Sequence, residues 1–285
     1  YPEVMLIAED SSDYPKVTKS TLELGLGFDY KWDLGWMNDT LKYYGRDPIY
    51  RKYHHNELAF SMAYFYSERF ILPLSHDEVV HGKHTIVDKM WGSYDQKFAQ
   101  AKNLYLYQFT HPGKKLNFMG NEIGMFREWD EARELDWMLL QYPIHDAFRH
   151  FTEELNRLYL SNDAFWQGEY DPAHFQWLDC QADGTCLYAF LRRGGTHTVA
   201  AAFNFGDTPA PSYRLHMPFA CRARVLLHTG VEALWRCSAG RKRCGALAGR
   251  PGRPRADIFR CPRSAALCWN WMRRDGSRMT GKPNQ

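Results

Sequence analysis

A short apolar run that stops abruptly at polar residues constrains the fold of this chain most: Phe70 to Lys83 reads FILPLSHDEVVHGK. A continuous run of about four to eight apolar residues is typical of a strand covered on both faces. Polar groups just past the carboxyl end of such a strand lie where parallel α/β folds hold their active sites. The segment therefore predicts a buried parallel strand that delivers Ser75, His76, Asp77 and Glu78 to a site.

The same layout occurs twice more in the chain. Val4 to Ala8 is followed by Glu9, and Leu116 to Met119 is followed by Asn121 and Glu122. Parallel strands in a doubly wound sheet or a barrel collect such groups at one edge. An acidic residue after a strand is also often only the N-cap of the next helix. Three such strand ends, with a histidine among them, favour a site over three separate caps.

Helical spacing alternates with these strands. Gln96 to His111 and Ile144 to Leu160 each have apolar residues on one helical face. A weaker strand is predicted at Phe28 to Leu34, with Asn38 or Asp39 as the cap of the helix that follows. Helices between buried strands indicate parallel α/β units.

The pattern changes beyond Asn162 to short strands separated by glycine-containing turns, which predicts an antiparallel β-domain. Its predicted strands are Phe175–Asp179, Cys186–Arg193, Thr198–Phe205, Ser212–Met217 and Arg222–Thr229. From about Trp235 onward Arg, Gly, Pro and Cys dominate without a sustained period. We therefore expect a disordered or poorly packed tail.

Composition excludes some classes of function. The chain is 45% hydrophobic and 15% aromatic, yet no apolar run approaches the roughly 18 residues of a membrane helix. Residues 236 to 285 hold 13 of the 36 Lys and Arg residues, but no nucleic-acid recognition motif accompanies them. All seven cysteines lie from Cys180 onward without CxxC spacing, which indicates reduced thiols, as in a cytosolic protein.

The strand-end residues suit glycoside chemistry. Beside apolar strand residues, Glu9 is a candidate general acid or base, because desolvation would help it to hold a proton. Asp77 could stabilise oxocarbenium-like positive charge, and pairs of carboxylates are the usual equipment for this chemistry. His76 and His81 could donate hydrogen bonds to ligand hydroxyls.

Other interpretations of polar clusters have less support. The Ser-His-Asp triplet at residues 75 to 77 is not a hydrolase triad, because contiguous residues at a strand end point to different sides. His54, His55 and Glu57 could hold a metal, but surface polar contacts explain them more simply, and no metal is predicted. Four tryptophans fit either sugar-stacking platforms or the core: Trp32, Trp36, Trp129 and Trp137.

An ordered series of motifs resembles the 1,4-α-glucan (glycogen) branching enzymes of the α-amylase superfamily. The motifs are IAEDS at 7–11, YKW at 30–32, LGWM at 34–37, YHH at 53–55, LPLSHDEVVHGK at 72–83, FMGNE at 118–122, REW at 127–129 and LDW at 135–137. The resemblance covers about residues 1 to 232. It implies the C-terminal half of a (β/α)8 barrel at 1–162, an antiparallel β-sandwich domain at 163–235, and an irregular basic tail at 236–285.

The resemblance also implies roles for individual residues. Glu9 aligns with the proton donor and Asp77 with the carboxylate that stabilises the transition state. Substrate contacts are expected from His76, Glu78, His81, Trp32 and Trp36. The reaction of the family cleaves an α-1,4-glucan, holds the donor as a covalent glycosyl-enzyme, and passes it to a 6-hydroxyl in glycogen biosynthesis, with retention of configuration.

The nucleophilic aspartate of the family belongs to the strand before Glu9, and so is expected upstream of Tyr1. No residue of this chain replaces it. We therefore expect a C-terminal fragment with unpaired sheet edges that is inactive alone and prone to aggregate. The tail from Arg236 departs from the family pattern, which suggests an out-of-frame or substituted end.

The expected partner is an α-glucan, with no cofactor, no metal, no nucleic acid and no membrane. A cytoplasmic location and a monomeric full-length protein are expected as well. Two alternatives stay open: a noncatalytic glucan-binding remnant, and a hydrolytic amylase relative. The motifs at Lys31 to Met37 and Val79 to Lys83 argue against the second.

Overall fold

The computed structural model describes residues 1, 3–181, 184–219, 222–229, 257–261 and 266–272. Its first part is built on four strands: β1 Ile7–Ala8, β2 Tyr30–Trp32, β3 Phe70–Leu74 and β4 Lys114–Asn117. They form one sheet in the order β1-β2-β3-β4, and each neighbouring pair is parallel. The parallel sheet that the sequence predicts is confirmed.

Helices follow the strands along this part of the chain: α1 Leu34–Gly45, α2 Pro48–Arg51, α3 Asn56–Ala59, α4 Ser61–Tyr64, α5 Tyr94–Thr110 and α6 Pro143–Ser161. The predicted bounds of α5 and α6 are right to within two residues. The predicted cap of α1 is wrong, since Asn38 and Asp39 lie inside this helix. Asp33 caps it instead, because its Oδ1 accepts a hydrogen bond from the Trp36 N–H at 2.8 Å.

Strand β3 has the buried character that its sequence predicts. All five of its residues are buried, with Leu72 and Leu74 fully so. Leu104 and Tyr105 of α5 belong to the same buried apolar cluster. Apolar side chains on both faces of β3 therefore fix the strand whose carboxyl end carries the conspicuous polar segment.

Strand β1 differs from its prediction. Only two of the five residues from Val4 to Ala8 form a strand, and only Ala8 is buried. Met5 is 61% exposed and Ile7 is 42% exposed. The physical reason is position, because β1 is the edge of the described sheet and pairs with β2 alone.

The second part of the chain is antiparallel, as predicted. Its strands are β5 Phe175–Asp179, β6 Leu187–Arg193, β7 Thr198–Asn204, β8 Ala210–Leu215, β9 Arg222–His228, β10 Asp257–Cys261 and β11 Ala266–Met272. Five of them form a sheet in the order β5-β6-β7-β11-β9, and β10 pairs with β8. The predicted strands up to β9 are right to within two residues.

Strands β10 and β11 correct the prediction of a tail without regular structure. Strand β11 lies inside the five-stranded sheet, where it pairs with both β7 and β9. Its sequence, ALCWNWM, is a largely apolar run that the surrounding Arg, Gly and Pro residues obscured. The other residues from 236 to 285 lie outside the described part of the chain.

The faces of the five-stranded sheet pack in two directions. Phe190 and Phe203 lie in the same buried cluster as Tyr107 of α5. Leu191 and Leu215 belong to a second cluster, which joins β6 and β7 to β8. The alternation of side chains along a strand thus packs one face against the helical part and the other against the small sheet.

Arg51 also connects the two parts of the chain. It is 1% exposed, and its guanidinium donates to the carbonyl of Phe205 at 2.8 Å and to that of Tyr44 at 2.7 Å. Further acceptors are the Arg46 carbonyl at 3.1 Å and the Gln100 side chain. Within the described ranges, no helix is long and apolar enough to cross a membrane.

Candidate active site

Polar side chains follow three neighbouring strands of the parallel sheet. Glu9 follows β1, Asp33 follows β2, and Ser75 to Asp77 follow β3. Adjacent strands lie about 4.8 Å apart, which places the ends of β1 and β3 about 10 Å from each other. Glu9 and Asp77 therefore belong to the same edge of the sheet.

The Glu9 side chain is exposed to solvent. The burial that the sequence analysis expected for this carboxyl is not provided by the described residues, because β1 lies at the sheet edge. Its neighbour Asp10 is held by the N–H of Ser12 at 2.9 Å and by the ammonium of Lys31 at 2.9 Å. These bonds lower the pKa of Asp10 to about 2.

Asp77 begins a short 3-10 turn, Asp77–Val79, directly beyond β3. Its carboxylate is exposed, and Lys83 donates to its Oδ2 at 2.9 Å and to its backbone carbonyl at 2.9 Å. The hydrogen bond from Lys83 lowers the pKa of Asp77 below its ordinary value. The carboxylate is consequently anionic at neutral pH, as a charge-stabilising role requires.

His76 is exposed beside Asp77, and its ring lies against two aromatic neighbours. The ring centroid is 5.9 Å from that of Phe118 and 6.2 Å from that of Trp129, edge to face in the second case. His81 is exposed as well, at a left-handed φ of 60°. Both histidines therefore present ring nitrogens near the candidate site.

Glu78 is turned into the loop. Its side chain is buried, and Oε2 accepts from the backbone N–H and the hydroxyl of Ser75, each at 2.6 Å. These bonds hold the Glu78 side chain against Ser75, the residue that directly follows β3. The geometry favours a structural role for Glu78 over the substrate contact expected from the sequence.

The tryptophans divide between the core and the surface. Trp36 is 1% exposed and stacks on Tyr107 with centroids 6.2 Å apart. Of the two roles offered for it, it is therefore a core residue and not a stacking platform on the surface. Trp32 is half-buried at the end of β2. Trp129 packs edge to face on Phe118, and Trp137 is 48% exposed. Trp32 and Trp137 therefore keep part of their ring surface open to solvent.

The histidine and carboxylate group at residues 54 to 57 has other partners. Both oxygens of Glu57 accept from the guanidinium of Arg46, at 2.6 and 2.9 Å. The ring of His55 shares a hydrogen bond of 2.7 Å with the Tyr188 hydroxyl. No group of three or more metal-ligating side chains occurs among the residues that the structure describes.

Asp33 is buried and serves α1. The N–H of Trp36 and the hydroxyl of Tyr64 both donate to its Oδ1, each at 2.8 Å. Its Oδ2 has no hydrogen-bond partner among the described residues. Burial raises the pKa of Asp33 to about 6. A buried helix cap of this kind is not placed to act as a nucleophile.

Three residues around the Asp77 loop were not predicted: Lys83, Lys89 and Glu128. Lys83 binds Asp77, Glu128 accepts two backbone N–H groups of the loop, and Lys89 donates to three of its carbonyls. Lys83 and Glu128 stand inside the motifs at 72–83 and 127–129, which could have singled them out. Nothing in the sequence distinguishes Lys89 from a surface lysine.

Comparison with known proteins adds relatives for both parts of the chain. Residues 177–271 match the family model described as the alpha amylase, C-terminal all-beta domain. The 1,4-α-glucan branching enzyme GlgB of Aquifex aeolicus is 44% identical over 242 residues, which is 84% of this chain and 38% of that protein. GlgB of Pseudomonas fluorescens is 48% identical over 233 residues, 81% of this chain and 31% of that protein. The chain thus spans about a third of the length of these relatives.

Solved structures share the fold at low sequence identity. A pullulanase from Anoxybacillus sp. LM18-11, complexed with maltotetraose, matches with a TM-score of 0.60 and 12% identity, over 94% of this chain and 40% of that one. The α-amylase from H. orenii matches with a TM-score of 0.55 and 13% identity, over 94% of this chain and 53% of that one. The family match also reaches residue 271, within the tail for which the sequence predicted a substituted end.

Proposed function

We propose that the chain belongs to the 1,4-α-glucan branching enzymes of the α-amylase superfamily and supplies the acid/base and the charge-stabilising carboxylate of a glucan-transfer site. One observation carries the proposal. Glu9 and Asp77 follow two strands of one parallel sheet at the same edge, in a chain that is 44% to 48% identical to branching enzymes. An α-glucan is the proposed substrate.

In the proposed reaction Glu9 acts twice. It first protonates the glycosidic oxygen of an α-1,4 bond. A carboxylate nucleophile attacks the anomeric carbon at the same time, and the part of the glucan on the other side of the broken bond leaves with a free 4-hydroxyl. As a carboxylate, Glu9 then removes the proton from the 6-hydroxyl of an acceptor glucan, which attacks the same carbon and releases the nucleophile. Two inversions give an α-1,6 bond with retained configuration.

Asp77 stabilises the positive charge that develops on the sugar in both steps. Its exposed, anionic carboxylate beside His76 supports this role. His76 donates a hydrogen bond to a sugar hydroxyl, held in place by its contacts with Phe118 and Trp129. The Lys83 ammonium binds the Asp77 carboxylate and favours its ionised form. The positive charge of the transition state then interacts with the same carboxylate.

The third carboxylate is proposed to come from outside the printed sequence. The four parallel strands correspond in this proposal to strands five to eight of a (β/α)8 barrel, and the nucleophile to the strand before β1. Asp33 is the other strand-end carboxylate of this region, and its burial as a helix cap argues against that role. The chain alone therefore binds glucan without transferring it.

Two measurements on the purified chain test this proposal. Incubation with amylose should leave the iodine stain unchanged, because no covalent intermediate can form. Titration with maltoheptaose should still give saturable binding that weakens in the Asp77→Ala variant, with Glu131→Ala on an exposed stretch as the matched control. Loss of iodine stain, or maltoheptaose binding that is absent in the parent chain, would contradict the proposal.

A further inference from the structure

The loop from His81 to His84, between β3 and α5, has an unusual backbone. His81, Gly82 and His84 have left-handed φ values of 60°, 77° and 64°. Residues other than glycine rarely adopt this region, because the side chain crowds the backbone. The loop therefore needs outside contacts to hold its conformation.

Glu128 supplies one such contact, from the segment after β4. Its Oε2 accepts from the Gly82 N–H at 2.9 Å, and its Oε1 accepts from the His84 N–H at 2.6 Å. Successive N–H groups in a turn of this kind form a concavity that binds anions. The next residue, Trp129, donates its own N–H to the Val79 carbonyl at 2.9 Å. The segment after β4 is thus bonded both to the loop and to Val79, two residues before it.

Lys89 supplies the complementary contact. Its half-buried ammonium donates to the carbonyls of Glu78 at 2.5 Å and of His84 at 2.7 Å, and also to that of Lys83. The N–H groups of the loop therefore bind an anion, while its carbonyls bind a cation. This arrangement fixes the backbone on both sides of Lys83.

We propose that Glu128 is a positioning residue for Asp77 and acts through Lys83. The two N–H groups that Glu128 binds belong to the residues that flank Lys83, and the Lys83 ammonium in turn binds Asp77 at 2.9 Å. Loss of the Glu128 charge would release this stretch and withdraw the ammonium from Asp77. A catalytic role for the contact between Lys83 and Asp77 rests on the proposed function, whereas the contact itself is independent of it.

The test uses the full 285-residue chain and NMR, with Glu128→Gln compared with Glu131→Gln. Glu131 lies three residues further on and is exposed, with the same change of charge and shape. Glu128→Gln should speed amide hydrogen exchange at Gly82 and His84 by about tenfold, the effect of losing a charge-assisted hydrogen bond. It should also raise the pKa of Asp77 toward the ordinary aspartate value. The control should change neither quantity.

The pH profile separates positioning from a general loss of structure. In the parent chain the two amides should lose protection as pH falls through the pKa of Glu128, which their own hydrogen bonds lower. The profile should be flat in Glu128→Gln. The other charged groups that act on Glu128 are His84 and Lys89, and those that act on Asp77 are Lys83, His76 and His81.

A second variant, Lys83→Met, checks the link between the two contacts. It should raise the pKa of Asp77 while leaving Gly82 and His84 protected, which would support action through Lys83. Faster exchange in Glu128→Gln with an unchanged Asp77 pKa, or exchange that does not change at all, would overturn the proposal. Because none of these measurements involves glucan, their outcome is independent of whether the chain belongs to a glucan-transfer site.

Discussion

Single carboxylates at the sheet edge differ in what their surroundings allow. Asp33 and Asp77 follow adjacent strands, yet the first is 2% exposed and the second is exposed beside an ammonium group. Burial raises the pKa of Asp33 to about 6, whereas the Lys83 hydrogen bond lowers the pKa of Asp77. One residue is therefore suited to capping a helix and the other to carrying a negative charge.

Asp33→Asn should stabilise the folded chain at neutral pH. Both hydrogen bonds go to Oδ1, which asparagine retains, while the unpaired Oδ2 becomes an uncharged amide nitrogen. A carboxyl whose pKa rises on folding from 3.8 to about 6 binds its proton more tightly when folded, so stability falls as pH rises through that window. The variant should gain up to about 3 kcal/mol at pH 8 in urea unfolding and little at pH 3.5.

A gain that is the same at both pH values would contradict this account of Asp33. Asp33→Ala serves as the comparison, because it removes the charge and the helix cap together. Its gain at pH 8 should be smaller by about 1 kcal/mol, the usual contribution of an N-cap side chain.

At the scale of single residues, the sequence located the conspicuous carboxylates but not their environments. Glu9 and Asp77 could be found because each directly follows an apolar run. The burial of Trp36 and the buried position of the Glu78 side chain depend on the direction in which the folded backbone points each side chain. The contacts of Glu128 with a loop 44 and 46 residues away depend on tertiary structure, which a single sequence does not encode locally.

The segment that leads into strand β1 exposes a run of apolar side chains. Val4, Met5, Leu6 and Ile7 are between 42% and 61% exposed, and the strand pairs on one side only. Such an edge is a template for pairing with another chain. The sequence prediction of an unpaired edge is consistent with this exposure, while the predicted burial of the strand is wrong.

Charges placed on this edge should reduce self-association. In Met5→Lys/Ile7→Lys, light scattering of the concentrated chain should decrease severalfold, because charged side chains oppose edge pairing. Leu160→Lys is the control, since Leu160 is an apolar side chain that is 76% exposed near the end of α6. Equal decreases in the two variants would show that added charge, rather than the β1 edge, governs association.

Predictions at the scale of elements succeeded where a pattern is local and strong. Helices α5 and α6 and strands β5 to β9 have clear periods or turn residues, so their bounds were right to within two residues. Strand β11 was missed because it is a short apolar run in a stretch rich in Arg, Gly and Pro. Its place between β7 and β9 is decided by pairing with strands distant in sequence.

The whole molecule depends on contacts between the helical part and the antiparallel sheet. Arg51 is the clearest of them, with four acceptors from both parts and the rings of Tyr43 and Tyr44 at 5.5 and 5.6 Å. The architecture of each part could be predicted from patterning. A buried arginine that joins them could not, because arginine is far more often a surface residue.

Arg51→Met should destabilise the chain by about 3 kcal/mol or more, because several buried acceptors would lose their donors. Arg149→Met provides the control, since Arg149 pairs with Asp146 and Glu153 on the partly exposed surface of α6. Surface pairs of this kind contribute less than about 1 kcal/mol. Urea unfolding of both variants measures the difference, and similar losses would contradict a special role for Arg51.

Glu9 and Asp77 are proposed to be the acid/base and the charge-stabilising residue of a glucan-branching site. The most direct test fuses the part of the Aquifex aeolicus relative that precedes the matched region to Tyr1 and counts α-1,6 linkages formed from amylose by proton NMR. The parent fusion and Asp33→Asn should both form branches, whereas Glu9→Gln and Asp77→Asn should each lose at least about a hundredfold in branching rate. Branching at the parental rate in either of the last two variants would contradict the proposal.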